Sequence, residues 1–168
     1  ISVNIMNKSE HYNAYRNSKN KLRVFQIGFN KCGTRSLFHL FKDSGLPSVH
    51  YDGGRIANTM FRHHRNKRPL IDIRYRNTVF FSDMENIFRD QPLYVSQHLY
   101  KKLDKQYPNS RFILNIRDKK NWLKSRSLHK EGDYLKENAD KLGISEEEMI
   151  QVWSQEWDDH IKNVLLYF

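Results

Sequence analysis

Val24-Phe25-Gln26-Ile27-Gly28-Phe29-Asn30-Lys31-Cys32-Gly33-Thr34-Arg35-Ser36-Leu37 decides how this chain is read. Val24–Phe29 is a short apolar run closed by turn residues, the pattern of a strand buried in a sheet. After the turn, Leu37, Phe38, Leu40 and Phe41 keep helical spacing until Ser44-Gly45 stops them. A strand, a tight loop and a helix in that order form a ready anion site. Backbone N–H groups in the turn and at the helix N-terminus face outward, and the helix dipole adds partial positive charge. Gly33 lets the backbone approach a ligand without a Cβ, and Thr34 and Ser36 offer hydroxyl donors.

Gly28 and Gly33 keep the Gly-x4-Gly spacing of a nucleoside-triphosphate loop, but the Lys-Ser/Thr pair that should follow is replaced by Thr34-Arg35. The lysine sits inside the loop, at Lys31. An ATP enzyme needs its lysine on the terminal phosphates and a hydroxyl on Mg²⁺, so the displaced lysine argues for a different phosphorylated ligand.

Outward from the loop, a second strand is expected at Ser48–Tyr51, a basic helix over 55–68, a third strand over Thr78–Phe81 and an amphipathic helix over 93–106. Arg111–Ile116 is the clearest strand, leading through Arg117-Asp118 into a helix around Trp122. Ser145 and Glu148 form a capping box that opens a long helix with Ile150, Trp153, Trp157, Ile161, Val164 and Phe168 on one face. Strands alternating with helices predict an α/β fold, a three-layer P-loop-like arrangement of a central, mainly parallel sheet flanked by helices. Right-handed crossovers collect the loops after the strands at one edge, where ligands bind. Residues 1–21 are polar and lack apolar periodicity; they read as an arm preceding a single domain over 22–168.

Arg117 at a strand end suits a forked, charge-assisted contact to phosphate, and Ser125 on the next helix could reach the same oxygens. With both anchors in view, Lys31-Cys32-Gly33-Thr34-Arg35-Ser36-Leu37 resembles the 5′-phosphosulfate loop of sulfotransferases that use 3′-phosphoadenosine-5′-phosphosulfate (PAPS). That family carries Lys-x-Gly-Thr-Thr, or Lys-Gly-Gly-Thr-Arg in the heparan-sulfate 3-O-sulfotransferase branch. Arg35 departs from the first form and matches the second. The resemblance spans about residues 22–168. It implies a PAPS-binding set of Lys31, Cys32, Gly33, Thr34, Arg35 and Ser36, with Arg117 and Ser125 on the 3′-phosphate, PAP as product and no metal. The family continues past its long helix with another strand and further basic contacts, so a C-terminally truncated member is the expectation.

The resemblance gives Lys31 the leaving-group charge and calls for a His or Glu base from a strand end near the loop. Asp83, after Val79-Phe80-Phe81-Ser82, occupies one such end, although the same residue could cap a helix over Met84–Phe88. His50 offers an unperturbed pKa better suited to neutral pH. Both stay open, with Asp83 preferred. His63-His64 lacks the carboxylate or cysteine spacing of a metal site, and the basic helix around it reads as a solvated charged face.

Composition bounds the alternatives. A net charge of +10 favours anionic partners, and tilts the acceptor toward an anionic glycan or small molecule. A single cysteine rules out an internal disulfide framework, and no apolar run is long enough to span a bilayer. Together they set the expectation of a cytoplasmic protein. The competing readings are a P-loop kinase using ATP and Mg²⁺, a basic nucleic-acid-binding module, and a cofactor-binding relative without turnover. The nucleic-acid reading lacks interleaved aromatics and zinc-finger spacing, so no nucleic-acid partner is expected.

Overall fold

A computed structural model describes residues 19–87 and 91–168. The polar arm expected over 1–21 lies outside the described residues except for Lys19-Asn20-Lys21. Four parallel strands form the central sheet: β1 (Arg23–Gln26), β2 (Ser48–His50), β3 (Phe80–Ser82) and β6 (Ser110–Ile113), in the order β2-β3-β1-β6. A separate two-stranded ribbon pairs β4 (Glu85–Asn86) antiparallel to β5 (Leu93–Tyr94). The helices are α1 (Thr34–Asp43), α2 (Arg55–Arg65), α3 (Val95–His98), α4 (Tyr100–Gln106), α5 (Lys119–Ser127), α6 (Asp133–Leu142) and α7 (Glu146–Tyr167). The chain is thus α/β, with a parallel sheet flanked by helices, as the alternation of elements predicts.

Alternate side chains of a strand go to opposite faces, and the sheet divides its core accordingly. Phe25, Ile27 and Phe81 face Ile56, Ala57 and Met60 of α2, Leu103 of α4 and Val164 of α7. On the other face Phe41 of α1 stacks on Phe80, with ring centroids 4.1 Å apart. A second apolar cluster joins Phe29 to Trp122, Tyr134, Trp153 and Trp157, so α5, α6 and α7 pack directly under the loop after β1. The capping box forms as read: Ser145 Oγ accepts from the Glu148 N–H, and Glu148 accepts from the Ser145 N–H.

Two expectations are corrected. Residues 93–106 are not one helix. Leu93-Tyr94 pairs with Glu85-Asn86, and Leu99, at φ −121°, separates α3 from α4. Likewise Asp83 caps no helix over Met84–Phe88, because Glu85-Asn86 is extended in that ribbon; Phe88 lies outside the described residues. Non-local pairing outweighs helical spacing at both places. The basic helix is also less solvated than expected, since His63 is buried, with Nδ1 2.7 Å from the Pro69 carbonyl oxygen. Among the described residues no helix is long and apolar enough to cross a membrane.

Candidate active site

The loop between β1 and α1 is shaped from behind. Gln26 Nε2 donates to the Gly28 carbonyl at 2.6 Å, and Trp122 Nε1 to that of Asn30 at 3.0 Å. Arg117 Nη1 donates to the Lys31 carbonyl at 2.9 Å, and Asn115 Nδ2 to that of Cys32 at 2.8 Å. In a trans peptide the N–H points opposite to the carbonyl of the same unit. Fixing the carbonyls of residues 30, 31 and 32 toward the protein therefore turns the N–H groups of Lys31, Cys32 and Gly33 outward. Gly33, at φ 82°, is the N-cap of α1 and offers no side chain to its first turn. The result is a cradle of outward donors at a helix N-terminus, a geometry that binds oxyanions.

Gly28 is required for a different reason. A Cβ there would fall on the main-chain and side-chain oxygens of Asn115, the residue that ties down Cys32.

Beside the cradle lies a cavity of about 340 Å³. The loop and α1 supply Lys31, Thr34 and Arg35 to it, and the end of β2 supplies His50 and Tyr51. Asp83 and Glu85 enter from beyond β3, and His129, Lys130 and Tyr134 from the α5–α6 region. The parallel sheet places these strand ends together, as an open α/β sheet does. Of the seven described non-glycine residues with positive φ, Lys31, Tyr51, Asp83 and Lys130 line this one cavity. Left-handed backbone costs about 1–2 kcal/mol per residue, and such strain concentrates at functional sites.

Lys31 and both candidate bases meet here. Lys31 Nζ lies 3.3 Å from His129 Nδ1. His50 keeps Nδ1 3.0 Å from Ser82 Oγ, and its Nε2 is 3.7 Å from Asp83 Oδ2. Burial, with Arg35 and His39 nearby, holds the imidazole of His50 below its usual pKa, so it is neutral at pH 7. Asp83 is held by its own N–H, which donates to Gln26 Oε1 at 3.1 Å. Burial pushes its carboxyl up to about 6, against the pull of Arg126 and Lys31.

A model of the sulfotransferase domain family matches residues 23–165, nearly the whole chain. The chain belongs to that family. Among curated proteins no sequence matches it.

Other expected residues of this sulfotransferase domain stand outside the cavity. Arg117 is exposed, and its guanidinium braces the loop; Ser125 is half-buried on α5. Ser36 is exposed in the first turn of α1. Burial pushes the Cys32 thiol up to about 11 and keeps it protonated, while its carbonyl accepts from Asn115.

Three residues at or beneath the cavity escaped sequence reasoning. Glu85 accepts from Asn30 Nδ2 at 2.9 Å, and burial followed by the charge of Asp83 raises its carboxyl well above the usual range. The alternation Asp83-Met84-Glu85, acid–apolar–acid at a strand end, was the available signal. Arg126 is 1% exposed, inside a cage of Phe29, Trp122, Tyr134 and Trp153, with its guanidinium carbon 4.6 Å from the Trp153 ring centre. Its Nη2 donates to Tyr134 Oη at 3.3 Å, the hydroxyl that also accepts from Asn30. His129 gave no signal, because its contact with Lys31 spans 98 residues.

Proposed function

We propose that the protein transfers a sulfuryl group from PAPS to an acceptor hydroxyl, releasing PAP. The observation that carries this reading is the outward-facing loop whose Lys31 enters a cavity shared with Asp83 and His50. The donor supplies an activated sulfur and a phosphate leaving group. Attack by the acceptor oxygen forms one S–O bond, the bond from sulfur to the phosphate oxygen breaks with its pair, and the acceptor proton is released.

The residues take distinct roles. The N–H groups of Lys31, Cys32 and Gly33, with the hydroxyls of Thr34 and Ser36, hold the 5′-phosphate end. Lys31 places positive charge where the leaving phosphate gains it, which is where fixed charge lowers a barrier. Asp83 takes the acceptor proton: its raised pKa keeps it ionised at neutral pH yet more basic than an ordinary carboxylate. Neutral His50, whose Nε2 lies 3.7 Å from Asp83 Oδ2, orients that carboxylate. Arg117 and Ser125 receive the 3′-phosphate, the group that separates PAPS from ATP.

Calorimetric titration with PAP, in parallel with ADP plus Mg²⁺, tests the donor assignment. Tight PAP binding with little response to ADP is expected. Binding of ADP only with magnesium would move the protein to nucleotide kinases and overturn it.

A further inference from the structure

Two carboxyl groups reach the cavity from one tight turn. The Glu85 N–H donates to the Asp83 carbonyl at 2.9 Å, closing a three-residue turn about Met84. Met84 goes into the core, and the acids on either side of it both line the cavity. Neither acid has a Lys or Arg within ion-pair distance among the described residues. Asp83 presents Oδ2 to His50 and leaves Oδ1 buried without a hydrogen-bond partner. Glu85 Oε1 accepts from Asn30 Nδ2 at 2.9 Å, which leaves Oε2 to carry a proton.

Two carboxylates on such a turn, with no cation bridging them, do not both ionise near neutral pH. Arg126 and Lys31 both pull on Asp83, so it loses its proton first. Desolvation, followed by the charge of Asp83, pushes the Glu85 carboxyl up to about 8, against about 6 for Asp83. A protonated carboxyl both donates and accepts, so a neutral Glu85 serves Asp83 Oδ1 and Asn30 together. An ionised Glu85 would serve Asn30 alone and leave Oδ1 unpaired.

The other groups facing the pair hold their charge above neutral pH. Desolvation keeps the phenols of Tyr51, Tyr94 and Tyr134 protonated. It also holds the imidazoles of His50 and His129 below their usual value. Arg126 beneath the cavity, with Lys31, Arg35 and Lys130 on its walls, supplies standing positive charge.

We propose that Asp83 and Glu85 form a one-proton pair, in which Glu85 stays a neutral acid, donates a hydrogen bond to Asp83 Oδ1 and holds Asn30 of the loop. The inference rests on the sulfuryl-transfer reading and deepens it. The acceptor hydroxyl gives its proton to Asp83 as its oxygen bonds to sulfur, and the electron pair of the broken S–O bond leaves on the phosphate of PAP. Asp83 then passes that proton to water, while Glu85 keeps its own throughout. Glu85 is thus a positioning residue, setting the base on one side and the residue before Lys31 on the other. A second negative charge there would also face the anionic donor.

Glu85→Gln tests this, because its amide copies the neutral acid: the oxygen accepts from Asn30 and the nitrogen donates to Asp83. Carbon-13 NMR of the carboxyl-labelled chain needs no turnover. The Glu85 signal, identified by its loss in Glu85→Gln, is expected to titrate near 8, and the Asp83 signal near 6. In Glu85→Gln the Asp83 signal should stay near 6, since one neutral neighbour replaces another. A Glu85 signal titrating near the ordinary value of about 4, or an Asp83 value that falls in Glu85→Gln, would mean two carboxylates and overturn the pair. PAP release from PAPS, with water as acceptor, reads the positioning role. In the unaltered chain it should rise through about pH 6 and decline through about 8. Glu85→Gln should keep the rate at pH 7 within about three-fold and lose the alkaline limb. Glu85→Ala should lose about ten-fold at pH 7, the scale of leaving a buried acceptor unpaired. An alkaline limb that persists in Glu85→Gln, or an undiminished rate in Glu85→Ala, would overturn that role. The expected carboxyl titrations without any binding of PAP would instead overturn the sulfuryl-transfer reading while upholding the one-proton pair.

Discussion

Lys31 holds a left-handed backbone, at φ 62°, while its carbonyl is pinned by Arg117 and its ammonium reaches His129. Nothing in that arrangement serves stability alone. Lys31→Ala is therefore expected to lower kcat by about 10²–10³, the scale of removing a charge that acts on the transition state, with a smaller loss of PAP affinity. Unchanged turnover would remove Lys31 from the mechanism. Asp83 makes a prediction of both signs. As the base it must be ionised, so kcat/KM should fall as pH drops through about 6. For stability the direction reverses. A carboxyl with a folded pKa above its unfolded value stabilises the fold fully below the unfolded pKa and loses that contribution as pH rises through the folded one. Asp83→Asn should thus abolish most activity yet stabilise the fold at pH 8 by on the order of 1–3 kcal/mol, read as a higher Tm than the parent's, and leave Tm near pH 4 little changed. An equal Tm difference at both pH values would show that burial does not perturb this carboxyl.

The strand–loop–helix unit was legible because its signals are local. An apolar run, a glycine-bearing turn and a helical pattern follow one another over residues 23–43, and the structure returns them as β1, loop and α1. Residues 93–106 were misread because the partner of Leu93-Tyr94 lies in Glu85-Asn86, whose two-residue strand leaves no periodicity to detect. Within the loop the two glycines looked equivalent in sequence, and the structure separates them. Gly33 has open space around a Cβ but a φ of 82°, so Gly33→Ala should cost about 1–2 kcal/mol of backbone strain. Gly28→Ala drives a Cβ onto Asn115 main chain and should cost about 3 kcal/mol or more, because rigid atoms must move. Thermal melts should rank them in that order, at roughly 2–4 °C per kcal/mol for a chain of this size. The reverse ranking would mean that Asn115 yields more readily than φ does.

Across the whole molecule, the site is floored by a buried charge that no sequence pattern announces. The cage around Arg126 draws on Phe29, Trp122, Tyr134 and Trp153, each on a different element, so only the assembled α5–α6–α7 cluster reveals it. Two of its three nitrogens, Nε and Nη1, lack hydrogen-bond partners. Replacing a poorly paired buried charge with an apolar side chain of similar length is often neutral or stabilising. Arg126→Met is accordingly expected to keep or raise Tm. The same guanidinium draws down the pKa of both Asp83 and Glu85, so its removal should move the acid limb of activity to higher pH. A pH profile that stays in place would show that Arg126 serves packing only. A large fall in Tm would show that the charge itself holds the cluster together. Fold and loop could thus be read from neighbours in sequence, whereas the electrostatic floor of the site required tertiary structure.

The side chains of Gln26, Trp122, Arg117 and Asn115 that grip the loop carbonyls come from three separate stretches of chain. Such a loop has already surrendered its freedom when the protein folds, so a ligand entering it forfeits little further motion. The outward N–H groups of Lys31, Cys32 and Gly33 should then exchange readily in the empty protein and slow on addition of PAP, and the ligand should associate in a single kinetic phase without a slow isomerisation.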